Sequence, residues 1–212
     1  MPKSRVFIAD DHTLLVDAFR KLLEPEFEIV GTAGDGRELI EQAPNVYPDL
    51  AVVDLGLPRL NGIDAGRELK RLLPRIKILV VTVNEDSAVA REVLRQWASG
   101  YLLKKSSGTE LTHALRELLK GRSYVTPIMA QKVARDFIRD PDLQCMKLLT
   151  QRQREVLQLL AEGRTMKEAA DILSLTTRPI AFRKYRIMED FGMRSNSELL
   201  KLAMREHLIA AN

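Results

Sequence analysis

Short β-branched runs alternate with longer stretches of helical period through the first 120 residues, and few folds accommodate that alternation. The runs are Val6–Ala9, Phe27–Val30, Leu50–Val53, Ile76–Val83 and Tyr101–Leu103. Between and after them lie helical patterns at Leu14–Leu23, around Leu39, Ile40 and Ala43, at Ile63–Leu73, near Ser87–Gln96 and near Thr109–Leu119. Pro44 and Pro48 bound one connection and Pro74 stops a helix. Five strands and five helices in strict order predict an α/β doubly wound parallel five-stranded sheet with helices on both faces. Right-handed crossovers then put a ligand crevice at the carboxyl edge of the strands.

Four runs end in polar residues at that edge. Val6-Phe7-Ile8-Ala9 ends in Asp10-Asp11, Leu50-Ala51-Val52-Val53 in Asp54, the fourth run in Thr82 and the fifth in Lys104. A charge is costly to bury without a partner, so a carboxylate directly after a buried strand needs a reason. For any one of these aspartates a helix cap or turn former is the favoured reading; for all five residues at matching ends it is not. Three carboxylates, a hydroxyl and an ammonium in one crevice suit a divalent cation and a phosphoryl group. Mg²⁺ prefers oxygen ligands and keeps several waters, so Asp10, Asp11 and Asp54, with a backbone carbonyl near Gly56, suffice. Asp54 can act as nucleophile to give an acyl phosphate. Lys104 then pairs with phosphoryl oxygens and Thr82 donates a hydrogen bond.

Other chemistry has less support. None of His12, His113 and His207 adjoins a candidate Ser or Cys nucleophile. Gly31, Gly34 and Gly36 are spaced G-x-x-G-x-G, which is not the pattern of a nucleotide loop. The lone cysteine, Cys145, excludes an internal disulfide and a multi-Cys zinc site. No apolar run approaches the roughly 20 residues that span a bilayer. Met1-Pro2-Lys3-Ser4-Arg5 enters a strand-like run rather than a signal-peptide core, so a cytoplasmic protein without a membrane partner is expected.

The chain changes character after residue 120. Gly121-Arg122-Ser123, Pro127 and the turn signal Asp140-Pro141-Asp142 mark a linker, with one candidate helix at Ile128–Ile138. Four helices follow, at Gln151–Ala161, Met166–Leu173, Thr177–Asp190 and Ser197–Ile209. Thr150, Thr165, Thr176 and Ser195 are their expected N-caps, and Gly163 and Gly192 are stops. The formal net charge of +4 resides here: residues 147–212 hold 12 Lys/Arg against 8 Asp/Glu, whereas residues 1–146 hold 21 of each. Such asymmetry points to a polyanionic partner for the last third.

Residues 4–120 resemble the receiver domain of bacterial response regulators. Asp10-Asp11, Asp54, Pro58 with Asn61-Gly62, Thr82 and Gly100-Tyr101-Leu102-Leu103-Lys104 carry the resemblance. It implies that Asp54 accepts a phosphoryl group from a sensor histidine kinase, with Mg²⁺ held by Asp11 directly and by Asp10 largely through water. It also implies that Thr82 moves toward the phosphoryl group and that Tyr101 swings inward with it. Gln96-Trp97 stands where relatives carry a small pair, and the tryptophan is expected to enlarge an apolar dimerisation surface.

Residues 148–211 resemble the LuxR-type helix-turn-helix. The match opens on Leu148-Leu149-Thr150-Gln151-Arg152-Gln153-Arg154-Glu155-Val156-Leu157 and continues through Glu162-Gly163-Arg164, Lys167-Glu168-Ala169-Ala170 and Leu173-Ser174-Leu175-Thr176. On the expected recognition helix, Ile180, Ile187 and Phe191 share one stripe at about 100° per residue and should face the core. Arg178, Phe182, Tyr185, Arg186 and Glu189 share the opposite face. Aromatics exposed among arginines suit the major groove, with base contacts from this face and phosphate contacts from Arg183 and Lys184. The full candidate DNA-contacting set is Thr177, Arg178, Ala181, Phe182, Arg183, Lys184, Tyr185 and Arg186. Pro179, Arg183 and Met166 replace residues common in the family, which leaves the DNA sequence open. Pro179 falls within the first helical turn, where a missing N–H has no partner to lose.

The resulting expectation is a receiver over residues 1–122, a linker over 123–147 and a DNA-binding domain over 148–212. Its function is phosphorylation-controlled transcription, with a homodimer on DNA when phosphorylated, and it is not an enzyme. Two alternatives stand beside it. An aspartyl-phosphate phosphohydrolase would want an acid two residues past its nucleophile, where Gly56 stands. A regulator that is never phosphorylated would leave the five-residue site without a purpose.

Overall fold

The computed structural model describes residues 3–139, 149–206 and 208–209 of the 212. Its strands are β1 (Ser4–Ala9), β2 (Phe27–Ala33), β3 (Leu50–Val53), β4 (Lys77–Thr82), β5 (Gly100–Leu103) and β6 (Tyr124–Val125). The helices interleaved with them are α1 (Thr13–Leu23), α2 (Gly36–Val46), α3 (Gly62–Leu72), α4 (Ser87–Gln96) and α5 (Gly108–Leu119). They are followed by α6 (Pro127–Arg139), α7 (Gln151–Ala161), α8 (Met166–Ile172), α9 (Thr177–Asp190) and α10 (Asn196–Arg205). The sheet is parallel throughout, in the order β2-β1-β3-β4-β5-β6. Its strand order reverses beside β1, and the carboxyl ends of β1 and β3 flank the crevice there.

Alternation of side chains along each strand sorts the core into two layers. Val6, Ile8, Leu50, Val52, Leu79, Val81 and Leu102 point to one face and pack with Leu23 of α1 and with Leu111, Leu115 and Leu118 of α5. Phe7, Ala9, Ala51, Val53, Ile78, Val80, Tyr101 and Leu103 point to the other, against α2, α3 and α4. Burial on both faces explains why the central strands read as unbroken apolar runs.

The structure corrects three details of the sequence reading. A sixth strand, β6, extends the sheet from within the segment read as linker. Two residues are too few to show any periodicity, and the pairing Gly100↔Tyr124 and Tyr101↔Val125 exists only because β5 lies alongside. Helix α6 follows it and sinks Met129 completely into the main core. Pro44, read as the boundary of a connection, lies inside α2, two residues before its end. Only one helical N–H is lost there, and Tyr47 ends the helix in a left-handed conformation at φ 43°. Trp97 adds nothing to an exposed surface: it is 4% accessible and packs on Gly66, where an added Cβ would meet the indole ring at 2.4 Å.

Gly62 is required by close approach. A Cβ there would sit 1.9 Å from the backbone oxygen of Asp54 and 2.7 Å from Leu55 Cα, neither of which a rotamer change can move. Gly62→Ala is therefore expected to cost about 3 kcal/mol, the upper range for overpacking. A urea titration should show the midpoint falling at unchanged slope.

Helix α6 is tied to the loop after β4. Glu85 accepts from Lys105 and, at 2.6 Å, from Lys132 of α6, while the Ser87 hydroxyl donates to Asp136. The two ammonium groups, Lys105 foremost, pull the Glu85 carboxyl down from 4.5 to about 2. A depressed carboxyl contributes stability above its unfolded value and loses it as pH falls through its folded one. Protection of α6 amides from hydrogen exchange is thus expected to fall between about pH 4.5 and 2, and Glu85→Gln should remove that pH dependence.

The C-terminal helices form two small cores. Leu149, Leu157, Ile187, Leu199, Leu202 and Leu208 make one; Val156, Leu159, Ala169, Leu173 and Ile180 make the other. Thr150 and Thr165 form full capping boxes with Gln153 and Glu168, and Ser195 caps α10. Thr176 occupies the N-cap of α9 but makes no side-chain cap bond. Its usual partner is the amide at the second or third helical position, and the third is Pro179, which has none. Gly163 and Gly192 take φ of +83° and +67° after α7 and α9, as the helix stops require.

Candidate functional site

Asp10, Asp54, Thr82 and Lys104 converge because β1, β3, β4 and β5 end together. Asp10 is 4% exposed, Asp54 5% and Thr82 2%, whereas Asp11 is open to solvent. Lys104 Nζ lies 2.8 Å from both Asp54 Oδ2 and Asp10 Oδ2, so one ammonium serves two buried carboxylates. Burial pushes the Asp54 carboxyl above its ordinary value; Lys104 pulls it back, and the nearby Asp10 charge adds to the rise. For Lys104 burial lowers the ammonium, but Asp54 and Asp10 together outweigh it and raise it.

One oxygen each from Asp10, Asp11 and Asp54 and a ring nitrogen of His12 all fall within 4.8 Å of one another. Three carboxylates at that spacing fit a small, hard divalent cation, and Lys104 now neutralises two of them. His12 is the member that sequence reasoning passed over. Its Nδ1 lies 3.0 Å from Asp10 Oδ1 and 2.8 Å from Asp11 Oδ1, and its amide donates to Asp10. Adjacency to an acidic pair was the available signal. Gly56 borders the same pocket, and its backbone helps to pull the Asp54 carboxyl back down.

Tyr101 is fully buried and already turned inward, with its hydroxyl donating to the Asn84 carbonyl at 3.0 Å. Burial pushes its phenol far above the ordinary value. Thr82 Oγ1 accepts from the Asn84 amide at 3.2 Å. Thr82 and Tyr101 therefore grip the same residue, at the start of the loop that carries Glu85 to α6. The Asn84 side-chain nitrogen is itself buried without a partner among the described residues.

On α9, Ile180 and Ile187 are fully buried, and Phe191, just past the helix end, packs against the core that holds Ile187, while Phe182 and Tyr185 are 68% and 61% exposed. Thr177, Arg178 and Arg186 are also exposed; Ala181, Arg183 and Lys184 are half-buried at the edges of that face. Arg186 lies 3.4 Å from Asp190, Arg183 donates to the Pro179 carbonyl, and the Lys184 ammonium sits 5.8 Å from the Tyr185 ring centroid. The candidate surface is thus one contiguous basic and aromatic face.

Helix α7 touches the loop that follows β3 and the start of α3. Gln158 Oε1 accepts from the Asn61 amide at 2.8 Å, and Gln158 Nε2 donates to the Leu57 carbonyl at 3.0 Å. Arg154 Nε reaches the Asp64 oxygens at 3.2 and 3.3 Å, and its Nη1 lies 3.9 Å from Glu92. Asn61 holds the other side of this contact: it caps α3 through the Asp64 amide and donates to Asp64 Oδ2. No local pattern in the sequence announces these pairings.

A model of the response regulator receiver domain matches residues 6–116, and one of the LuxR family of bacterial regulatory proteins matches residues 147–203. The oxygen regulatory protein NreC of Staphylococcus aureus strain JH9 is 30% identical over 214 residues, covering 97% of this chain and 99% of the relative. A structure of the Salmonella typhimurium response regulator RcsB is 29% identical with a TM-score of 0.68, covering 95% of this chain and 97% of that one. RcsB from Salmonella enterica serovar Typhimurium, bound to a promoter in the presence of a phosphomimetic, is also 29% identical, with a TM-score of 0.61 over 94% of this chain and 97% of that one.

Proposed function

Because the chain belongs to the response regulators, joining a receiver domain to a LuxR-type DNA-binding domain, we propose that Asp54 is its phosphoryl acceptor and α9 its DNA reader. The observation that carries this reading is the buried Asp10–Lys104–Asp54 triad at the carboxyl edge of the sheet, with Thr82 and Tyr101 joined to one loop beside it. A phosphoryl group entering here takes over Lys104, and Thr82 exchanges the Asn84 amide for a phosphoryl oxygen. That exchange loosens the loop held by Tyr101 and carries the change to α6.

Asp10, Asp11 and Asp54, with a carbonyl near Gly56, would hold Mg²⁺, which neutralises charge on the incoming group. The phosphoryl donor is a sensor histidine kinase, and double-stranded DNA and a second copy of the chain are the partners of the phosphorylated form. RcsB has been solved on DNA, which supports the same partner for α9 here. No described helix is long and apolar enough to cross a membrane, and a DNA partner supports a cytoplasmic location.

A regulator is favoured over a phosphohydrolase because Gly56, not an acid, stands two residues past Asp54, so nothing there protonates a leaving group. DNA-site selection on the full chain, with and without acetyl phosphate and Mg²⁺, tests the reading. A phosphorylation-dependent gain in two-fold related sites is expected; identical selection under both conditions would count against it.

A further inference from the structure

The strands that deliver Asp54 and Thr82 at one end leave a recess at the other. It measures about 520 Å³, within the range of small-molecule pockets. Tyr47 from the α2–β3 connection, Leu73 and Arg75 from the α3–β4 connection, Lys77 of β4 and Leu119 at the end of α5 line it. Backbone bonds fix its walls. The Lys77 amide donates to the Asp49 carbonyl at 3.0 Å, the Asp49 amide to the Arg5 carbonyl at 2.9 Å and the Ile76 amide to the Leu73 carbonyl at 3.1 Å. Pro48 and Pro74 stiffen the two connections further.

Two features of this lining call for a ligand. Tyr47 is 71% exposed and Leu119 40%, so a ring and an aliphatic chain stand open on a concave surface. Tyr47 also ends α2 at φ 43°, where glycine or asparagine is the usual residue, so displaying this ring carries backbone strain. The charges are the second feature. Arg75 and Lys77 have no ion pair among the described residues. Lys70 Nζ donates to the Ile76 carbonyl at 2.7 Å; burial lowers its ammonium, and the nearby Lys77 charge lowers it further. Two ammonium groups thus repel one another across this wall. Asp49, the carboxylate in the lining, accepts from the Arg5 amide at 2.9 Å.

An anion relieves that repulsion, whereas a cation adds to it and a neutral ligand leaves it in place. The Arg75 guanidinium suits a phosphate or carboxylate as a two-pronged partner, and Lys77 adds a point charge. The face of Tyr47 suits a flat ring. A DNA duplex cannot enter a recess of this size, so the polyanion read by α9 is not the occupant. We propose that this recess at the amino-terminal edge of the sheet binds a small molecule that joins a planar aromatic ring to a phosphate or carboxylate. The ring lies on Tyr47 and Leu119, and Arg75 and Lys77 hold the anion. This site is independent of Asp54 as phosphoryl acceptor, which stands at the opposite end of β3.

The test is a titration of the isotope-labelled full chain without Mg²⁺, followed by backbone amide chemical shifts. Adenosine monophosphate and naphthoate are the probes, and they distinguish a phosphate from a carboxylate source. At least one should give saturating shifts at the Tyr47, Arg75 and Lys77 amides. Its uncharged counterpart, adenosine or naphthamide, should bind about tenfold more weakly, the loss of two partly exposed ion pairs. Arg75→Ala and Lys77→Ala should each weaken binding by about threefold to fivefold. Tyr47→Gly suits the left-handed cap and so keeps the fold, and should weaken binding about fivefold or more, the lower range for ring stacking. Asp54→Asn should change nothing. Shifts confined to α9 or to the surroundings of Asp54 overturn the proposal, as does failure of both probes to saturate. Affinity equal to wild type in the Tyr47, Arg75 and Lys77 variants overturns it as well.

Discussion

Asp54→Asn is expected to leave the chain folded and unable to form a phosphoryl adduct with acetyl phosphate and Mg²⁺. The amide matches the carboxylate in shape but offers no anionic oxygen to attack phosphorus. Folding should survive because Lys104 keeps Asp10 at 2.8 Å, so no buried charge is orphaned. Burial already disfavours the ionised Asp54, which limits the stability lost with that charge. Intact mass before and after incubation is the measurement. A full adduct on the Asp54→Asn variant would move the acceptor elsewhere and remove the reason for a carboxylate at this strand end.

The second large effect concerns α9. Replacing Arg178, Arg183, Lys184 and Arg186 together by Ala should weaken DNA binding on the order of a thousandfold, at about 1 kcal/mol or more per side chain removed. The log–log salt slope should flatten by roughly 0.9 for each phosphate no longer neutralised. Alanine suits a helix interior, and the polar bonds surrendered, such as Arg186–Asp190, lie at the surface, so the domain should persist. Phe182→Ala and Tyr185→Ala should act differently, changing which sequence is preferred while leaving the slope alone, because apolar and edge contacts to bases carry sequence information and phosphate contacts do not. Fluorescence anisotropy across a salt series distinguishes the two patterns. An unchanged slope in the fourfold variant would remove α9 as the DNA contact.

How far the sequence could be read followed from the range of each interaction. Asp10, Asp54, Thr82 and Lys104 were legible because strand period and polar termination are local, and a parallel sheet collects its carboxyl ends without further instruction. Ile180 and Ile187 were legible for the same reason on a helix. Thr176 was half-legible: it marks the helix start, but Pro179 withholds an amide from its hydroxyl. Trp97 misled, since a large aromatic next to a helix end looks like surface until Gly66, about 30 positions away, is seen to make room for it. Gln158 and Arg154 could not be read at all. Their partners lie 101 and 90 positions away, and a Gln and an Arg on an amphipathic helix ordinarily face water.

Strand β6 bears on what happens at the rim of the sheet. Tyr124 and Val125 pair with Gly100 and Tyr101, and the Thr126 hydroxyl then accepts from the Leu103 amide, so β5 has no bare backbone left along this side. An uncovered strand is a template for another chain to add to, and proteins normally blunt it. Here the cover comes from the connector between the two domains, which ties colloidal behaviour to domain arrangement. A receiver cut at residue 122 would lose its cap as well as its tether, and would present Gly100–Leu103 as a sticky border. The connector is therefore as much a guard against self-association as a link between two functions.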